Sequence, residues 1–246
     1  MIKSIRSFLR KQWFDPGWVG IFVNPFWIAR RRLWQAMEQN AHELSGKLLD
    51  VGCGTKPYRS LFKVDEYIGL EYDTPHCRRL GIAEYFYEGN NFPFEDATFD
   101  SILCNQVLEH VFNPDEFLAE IHRVMRSSGK LLLTVPFVWD EHEQPHDYAR
   151  YSSFGLAHLF KKNGFEIIKH YKLSADFSVL AQLLNAYIYK VLPVNNTTVK
   201  IRIHQLTYIF IMAPVTIIGV YLSKILPKNS DLYLDQTVLV RKVSID

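Results

Sequence analysis

The feature that most constrains this chain is an alternation. Between residues 47 and 135, short apolar runs with strand character recur at 47–51, 67–71, 85–88, 99–104 and 130–135, with helix-like stretches between them. The clearest helix lies between the last two runs. Asn113 can cap it, Pro114 takes its first helical position, and Asp115 and Glu116 put negative charge in its first turn. Phe117, Leu118, Ile121, Val124 and Met125 then share one face at helical spacing, and Gly129 stops the run. Strands separated by helices predict a parallel sheet with both faces covered. The pattern resumes with a helix from about Ser153, closed by Asn163 and Gly164, and a strand at 165–170. A last strand at 236–242 would complete seven.

Two stretches stand outside this rhythm, so the chain is expected to fall into four segments. Residues 1–46 form an aromatic and basic helical segment, 47–174 the sheet core, 175–231 a hydrophobic helical insertion, and 232–246 the final strand of the core. The insertion reads as two helices separated by Pro193-Val-Asn-Asn.

The first strand runs into a glycine turn, Leu48-Leu-Asp-Val-Gly-Cys-Gly-Thr-Lys-Pro57, where backbone can approach a ligand closely. Three nucleotide readings compete for it. A P-loop needs a Gly-Lys-Ser/Thr step after four spacer residues, which is missing. A dinucleotide fingerprint wants a third glycine where this chain has Pro57, and it would bring a pyrophosphate against the Asp50 carboxylate. A cofactor carrying an ammonium and a sulfonium would gain from that carboxylate. About twenty positions on, Glu71 ends the second strand, at the spacing of an acid that accepts both ribose hydroxyls.

These segments resemble the class I S-adenosylmethionine-dependent methyltransferases, in particular the bacterial group with a type 11 methyltransferase domain. The resembling stretches are Leu48-Leu-Asp-Val-Gly-Cys-Gly, Tyr67-Ile-Gly-Leu-Glu, Glu88-Gly-Asn-Asn-Phe-Pro-Phe-Glu-Asp-Ala-Thr-Phe-Asp100, Val107-Leu-Glu-His-Val and Gly129-Lys-Leu-Leu-Leu-Thr-Val-Pro136. They fall in the family's order over about residues 46–170. The resemblance implies a Rossmann-like seven-strand α/β sheet. It also implies S-adenosylmethionine as cofactor, with Asp50, Gly52, Cys53 and Gly54 at the methionine end and Glu71 on the ribose. Glu88, Gly89 and Asn90 would stand beside the adenine, with Asn105 and Gln106 lining the pocket after the fourth strand. Two departures from the family pattern bear on this: Pro57 and Tyr58 replace the usual glycine and small residues, and Glu88 stands where aspartate is usual.

After the fifth strand comes Asp140-Glu-His-Glu-Gln-Pro-His-Asp-Tyr-Ala-Arg-Tyr151, at the sheet edge where ligands of doubly wound folds bind. It holds more histidine, acid, arginine and tyrosine than a connection requires. It also resembles a His-Glu-x-Pro-His-Asp-Tyr segment of one methyltransferase subgroup, often found with surface-polysaccharide genes. His142 and His146 are candidate bases for an acceptor hydroxyl, and Asp147 is a candidate orienter. Tyr148, Arg150 and Tyr151 are candidate acceptor-site residues, and so is His110. A hydrogen-bonded lid without proton transfer is the alternative. A metal on His142, Glu143, His146 and Asp147 is conceivable, but nothing in the chemistry demands one, so none is expected.

Charge separates the remaining possibilities. With 28 basic and 26 acidic residues the chain has no global field of the kind that marks a nucleic-acid binder. Locally, residues 1–34 carry seven basic side chains (Lys3, Arg6, Arg10, Lys11, Arg30, Arg31, Arg32) against Asp15 alone. No acid occurs between Asp176 and Asp231, where Lys190, Lys200, Arg202, Lys224 and Lys228 are basic. Residues 206–223 are uncharged. With Trp13, Trp18, Trp27 and Trp34, this favours an interface with anionic lipid. Burial in a dimer or a substrate lid is the alternative. Three cysteines and a charged, broken opening predict a reduced, cytoplasmic setting, peripheral on the inner face of the membrane. The expected activity is methylation of a saccharide or lipid-linked small molecule. A silent methyltransferase-fold module and a nicotinamide-dependent oxidoreductase are the rivals. The oligomeric state is left open.

Overall fold

The computed structural model describes residues 2–89, 91–192 and 198–243, with the side chains of all of these except 2–7 and 198–201. Helices α1 (Ile2–Phe14), α2 (Gly20–Val23) and α3 (Trp27–Asn40) come first, then strands β1 (Lys47–Val51) and β2 (Glu66–Tyr72). Next are α4 (Pro75–Leu80), β3 (Tyr85–Tyr87), β4 (Phe99–Asn105), α5 (Pro114–Val124), β5 (Met125–Pro136), α6 (Ser153–Lys162) and β6 (Phe165–Leu173). Helices α7 (Ser178–Val191), α8 (Thr198–Thr207) and α9 (Ala213–Ile225) follow, the last two joined by a π-helical segment at Tyr208–Met212, and β7 (Asp235–Lys242) ends the described fold. These elements form two compact units, one of Met37–Phe137, Glu141–Tyr171 and Gln236–Asp246, the other of Met1–Ala36, Val138–Asp140 and Lys172–Asp235.

The first unit is built on the expected seven-stranded sheet, in the order β3-β2-β1-β4-β5-β7-β6. The pairs β1 with β2, β1 with β4, β2 with β3 and β4 with β5 are parallel. Near its end β7 runs back along β6: Val243 N–H donates to the Gly164 carbonyl, and His170 faces Gln236. The sheet is therefore mixed at one edge. Leu48, Leu49 and Val51 of β1 and Ile102, Leu103 and Cys104 of β4 are all buried. Consecutive buried residues on a strand mean that both faces are covered, which is why these strands read as unbroken apolar runs. Phe117, Leu118, Ile121 and Val124 of α5 lie in the same core as Leu131 and Leu133 of β5.

Two local expectations fail around α5. The Asn113 side chain does not cap the helix; its amide donates to Glu116 at 3.4 Å. Nor does Gly129 stop the helix, which ends at Val124 with Met125 already extended and paired to Phe99. Tertiary pairing overrides the periodicity there, so β5 starts five residues early, with a register shift before Ser101 meets Lys130. Gly129 answers a packing demand instead, since a Cβ there would sit 2.5 Å from Met125 Cγ and 2.9 Å from the Arg126 carbonyl oxygen.

The second unit unites what were expected to be separate segments, the N-terminal helices and the insertion. Ile28 and Ala29 share a core with Val179, Ala181 and Leu234. Gln182 is buried and joins them, accepting from Ala29 N–H at 3.2 Å and donating to the Pro25 carbonyl at 3.1 Å. Helices α7 and α9 meet through small residues: a Cβ on Gly219 would lie 2.2 Å from Ala181 Cβ. The expected boundary at residue 46 moves to 36, because Ser45 and Lys47 are already tied to β4 through Ser101 and Asp100. Pro214 has no N–H to give to the helix ladder, and two residues before it the Met212 carbonyl accepts from the buried Asn185 amide at 3.2 Å. The run Arg202–Ile225 is 24 residues, long and apolar enough to cross a membrane, yet only 22% of its most apolar stretch is buried. The expected separator at residues 193–196 lies outside the described residues.

Candidate active site

Parallel pairing brings the carboxyl ends of β1, β2, β4 and β5 to one edge of the first unit. The chain reverses its strand order between β1 and β4, the switch point where such sheets bind ligands. The glycine turn leaves β1 there. Gly52 and Gly54 both have positive φ, 67° and 49°. A Cβ on Gly52 would meet Val107 at 2.3 Å, whereas one on Gly54 would meet nothing within 4 Å, so the turn is packed at one glycine and open at the other. Gly52 N–H and Cys53 N–H donate to the Leu70 carbonyl at 2.8 and 3.2 Å, pinning the turn to β2.

Across that opening Glu71 accepts from Gly54 N–H at 2.7 Å and from Tyr72 N–H at 3.1 Å. The residue expected on the ribose thus stands at the glycine turn, half-buried. Asp50 and Cys53 are buried beneath the turn. Tyr67 hydroxyl donates to Asp50 at 2.5 Å, and burial still pushes that carboxyl up to about 7. Burial also pushes the Cys53 thiol well above its ordinary range, so it stays protonated. After Gly54 no long helix follows, only a turn of 3₁₀ helix at Arg59–Leu61. The Pro57 and Tyr58 departure has this consequence: Tyr58 is buried, and Lys56 folds back over Gly69 to pair with Glu84. A dinucleotide site sets its pyrophosphate on the N-terminus of a helix at this point, and this turn offers none.

Beyond β4, Asn105 and Gln106 are joined through Thr134 of β5, whose hydroxyl donates to Asn105 Oδ1 at 2.8 Å and accepts from Gln106 at 3.2 Å. Gln106 has φ 55°, a left-handed conformation of the kind that clusters at functional sites. Glu88 and Gly89 are exposed just past β3, and Asn90 lies outside the described residues.

The loop of residues 141–151 meets this edge. Tyr148 N–H and Ala149 N–H donate to the Glu109 carbonyl at 2.8 and 3.2 Å, and His110 Nδ1 is 2.8 Å from the His146 carbonyl. Within the loop Arg150 grips both oxygens of Asp147 at 2.6 Å and holds its carboxyl down to about 2. Asp147 in turn accepts from His142 N–H at 2.9 Å and stands 3.3 Å from His142 Nδ1. His110 and His142 are ring to ring, 4.8 Å between centroids, and burial lowers the His110 pKa. His142, Asp147, Arg150 and His110 are therefore brought together. His146 is set apart, exposed, with Nδ1 3.0 Å from the Tyr148 hydroxyl. Tyr148 also faces solvent, against Phe112, whereas the Tyr151 hydroxyl is pushed up to about 12 by burial.

Sequence reasoning passed over four residues: Glu109, whose carbonyl carries the loop; Thr134, which joins Asn105 to Gln106; Tyr67, which holds Asp50; and Gln236, which donates to the Tyr151 carbonyl at 2.6 Å. An acid between Leu108 and His110 was the available signal for Glu109, and the other three read as ordinary strand residues.

A family model described as a methyltransferase domain matches residues 49–133. The chain carries a class I, S-adenosylmethionine-dependent methyltransferase domain. A probable S-adenosylmethionine-dependent methyltransferase of Mycolicibacterium smegmatis is 29% identical over 126 residues, 48% of each chain. An O-methyltransferase of Aspergillus nomiae is 25% identical, over 58% of this chain and 74% of its own. Among solved structures, the phosphoethanolamine N-methyltransferase 2 of Haemonchus contortus aligns with a TM-score of 0.57 at 18% identity, over 96% of this chain and 59% of that one. Matches to curated relatives span as little as 40% of the relative's length. The methyltransferase domain is thus what these matches hold in common.

Proposed function

We propose that the protein transfers a methyl group to a hydroxyl of a saccharide or lipid-linked small molecule at a membrane surface. The observation that carries the cofactor half is the Gly52 to Gly54 turn, packed at one glycine and open at the other, with the Glu71 carboxylate across it. S-adenosylmethionine supplies an electrophilic methyl on a cationic sulfur. The open backbone at Gly54 admits its methionine end, Glu71 accepts its ribose hydroxyls, and Asp50, buried beneath the turn with its carboxyl raised to about 7, is drawn into its charged form by the cationic cofactor. Glu88 and Gly89 are assigned to the adenine, and Asn105 and Gln106 wall the pocket. A 3₁₀ turn in place of a helix argues against the nicotinamide reading.

The acceptor half rests on the 141–151 loop. Alignment of an acceptor can contribute roughly 7–11 kcal/mol, and the Asp147 to Arg150 grip and the Glu109 carbonyl fix the loop for that task. A hydroxyl must also lose its proton, with more help than an already nucleophilic nitrogen needs, and the face formed by His110 and His142, with Asp147 as orienter, is where it is activated. Tyr148, Arg150 and Tyr151 shape the acceptor's seat. The O-methyltransferase among the relatives agrees with oxygen as the methylated atom. The saccharide class rests on the subgroup resemblance of the loop.

The membrane half rests on the helical unit. Leu206, Phe210, Ile218 and Tyr221 are all exposed on an uncharged stretch, and Trp18 is exposed as well. A transmembrane crossing is disfavoured. β6 and β7 are neighbours in one sheet, so a span by Arg202–Ile225 needs a return, and α7, with 14 residues, reaches only about 21 Å of the ~30 Å required. Lying in the interface, with Lys224 and Lys228 exposed toward anionic headgroups, satisfies both constraints.

The test is calorimetry with S-adenosylhomocysteine and with NAD, followed by labelling of cell extracts with a radioactive methyl donor. Binding of the first ligand alone, with label in a small or lipid-linked product, is expected. Binding of NAD alone rejects the reading, and cofactor binding without transfer to any acceptor leaves the silent module.

A further inference from the structure

Glu109, His110 and His142 each place one ligand atom so that all three lie within 4.8 Å of one another. Glu109 is fully buried, and its Oε1 is 3.8 Å from His110 Nε2. Both rings are turned by an acceptor on the other nitrogen, the His146 carbonyl at 2.8 Å from His110 Nδ1 and the Asp147 carboxylate at 3.3 Å from His142 Nδ1. A carbonyl only accepts, so His110 carries its proton on Nδ1. The Arg150-held carboxylate selects the same tautomer of His142. Nε2 is then the lone-pair nitrogen of each ring. An imidazole whose far N–H is donated to a carbonyl or carboxylate is the arrangement of metal-ligating histidines. Two imidazoles and one carboxylate form a donor set that zinc takes in sites with a fourth position for water or substrate. The side chains of Glu143 and His146, although close in sequence, are exposed and supply no ligand atom to the cluster.

We propose that Glu109, His110 and His142 bind one divalent transition-metal ion, zinc by the chemistry of the donors, with the acceptor hydroxyl at its open position. The ion site stands on its own geometry, and only its use for the acceptor rests on the proposed methyl transfer. Bonds of about 2.0–2.2 Å set tetrahedral ligand atoms ~3.4 Å apart, so the cluster closes by roughly 1 Å as the ion enters. On the ion the O–H bond breaks with its electron pair left on oxygen and the proton released to solvent, with no oxidation or reduction. Zinc lowers the pKa of bound water from about 15.7 to ~7 in the same way.

Full-length protein, stripped with a chelator, is titrated with Zn²⁺ by calorimetry and with Co²⁺ by visible absorption. One ion per chain and a tetrahedral cobalt spectrum are expected. His110→Ala or His142→Ala should weaken zinc at least tenfold, Asp147→Asn by about 10–100-fold as an orienting residue, and Glu143→Gln or His146→Ala less than twofold. The same samples are titrated with S-adenosylhomocysteine. No zinc binding by wild type, or binding indifferent to His110→Ala and His142→Ala, overturns the site while cofactor binding stands. Zinc bound without S-adenosylhomocysteine leaves the site and overturns the cofactor reading instead. Since Glu109 is buried, Glu109→Gln is interpreted only where S-adenosylhomocysteine still binds, which shows that the variant is folded.

Discussion

Gly52 and Gly54 answer two different demands, and alanine separates them. At Gly52 the new Cβ would press on Val107 at 2.3 Å in a left-handed conformation, so Gly52→Ala should lower the melting temperature markedly as well as ligand binding. At Gly54 only the backbone conformation resists, at about 1–2 kcal/mol, and the methyl group occupies the open side. Gly54→Ala should therefore weaken S-adenosylhomocysteine at least tenfold with a small change in melting temperature, which calorimetry and thermal denaturation measure together. Asp50 makes a pH prediction. Burial raises its carboxyl from 3.8 to about 7, against the pull of the Tyr67 hydroxyl and the Lys56 charge and with the push of Glu71 and Glu84. Between about pH 4 and 7 the folded protein thus holds a proton that the unfolded chain has released. Stability falls as pH rises through that window, by at most roughly 1.4 kcal/mol for each pH unit crossed. Asp50→Asn lacks this loss, so its melting temperature should gain on wild type steadily from pH 4 to 7, and parallel curves would refute the assignment.

Among the elements, the 141–151 loop depends on its Asp147 to Arg150 pair. Arg150→Ala should cost turnover about 10²-fold through misplacement of the acceptor, while S-adenosylhomocysteine affinity changes less than twofold. A proportional loss of both would mean that the loop supports the fold alone. This loop was legible as a candidate site because its charge density exceeds what a connection needs. Its anchoring was not, since backbone bonds to the Glu109 carbonyl leave no mark on residue type. β1 and the helix α6 were also legible, the former from an apolar run ending in a glycine turn and the latter from its start near Ser153 and its close at Asn163 and Gly164. The start of β5 was hidden, because Met125 fits a helical face and a strand equally well and only pairing with Phe99 decides. The union of the N-terminal helices with the insertion was beyond reach for a similar reason. Gln182 bonding to Ala29 joins residues 153 positions apart, and no periodicity reports such a distance.

For the whole molecule, attachment to anionic liposomes is the decisive measurement. The N-terminal arginines are poor levers for it: Arg31 and Arg32 pair with Asp15 and Asp176, and Arg30 lies over the Phe14 ring. Phe210→Asp combined with Ile218→Asp should abolish co-sedimentation with the melting temperature kept. Lys224→Gln with Lys228→Gln should weaken it most at low salt, because the lipid field decays within about 8 Å at physiological ionic strength. Intact protein that stays in the supernatant beside anionic vesicles refutes the membrane reading. The insertion leaves and rejoins the chain at one place, where Leu234 N–H donates to the Leu173 carbonyl at 3.1 Å. Some sixty residues thus occupy the position of a hairpin turn. The register of β6 and β7 is set by the strands and not by what lies between them, so the proposed membrane attachment and the proposed methyl transfer would be written in separable parts of one chain.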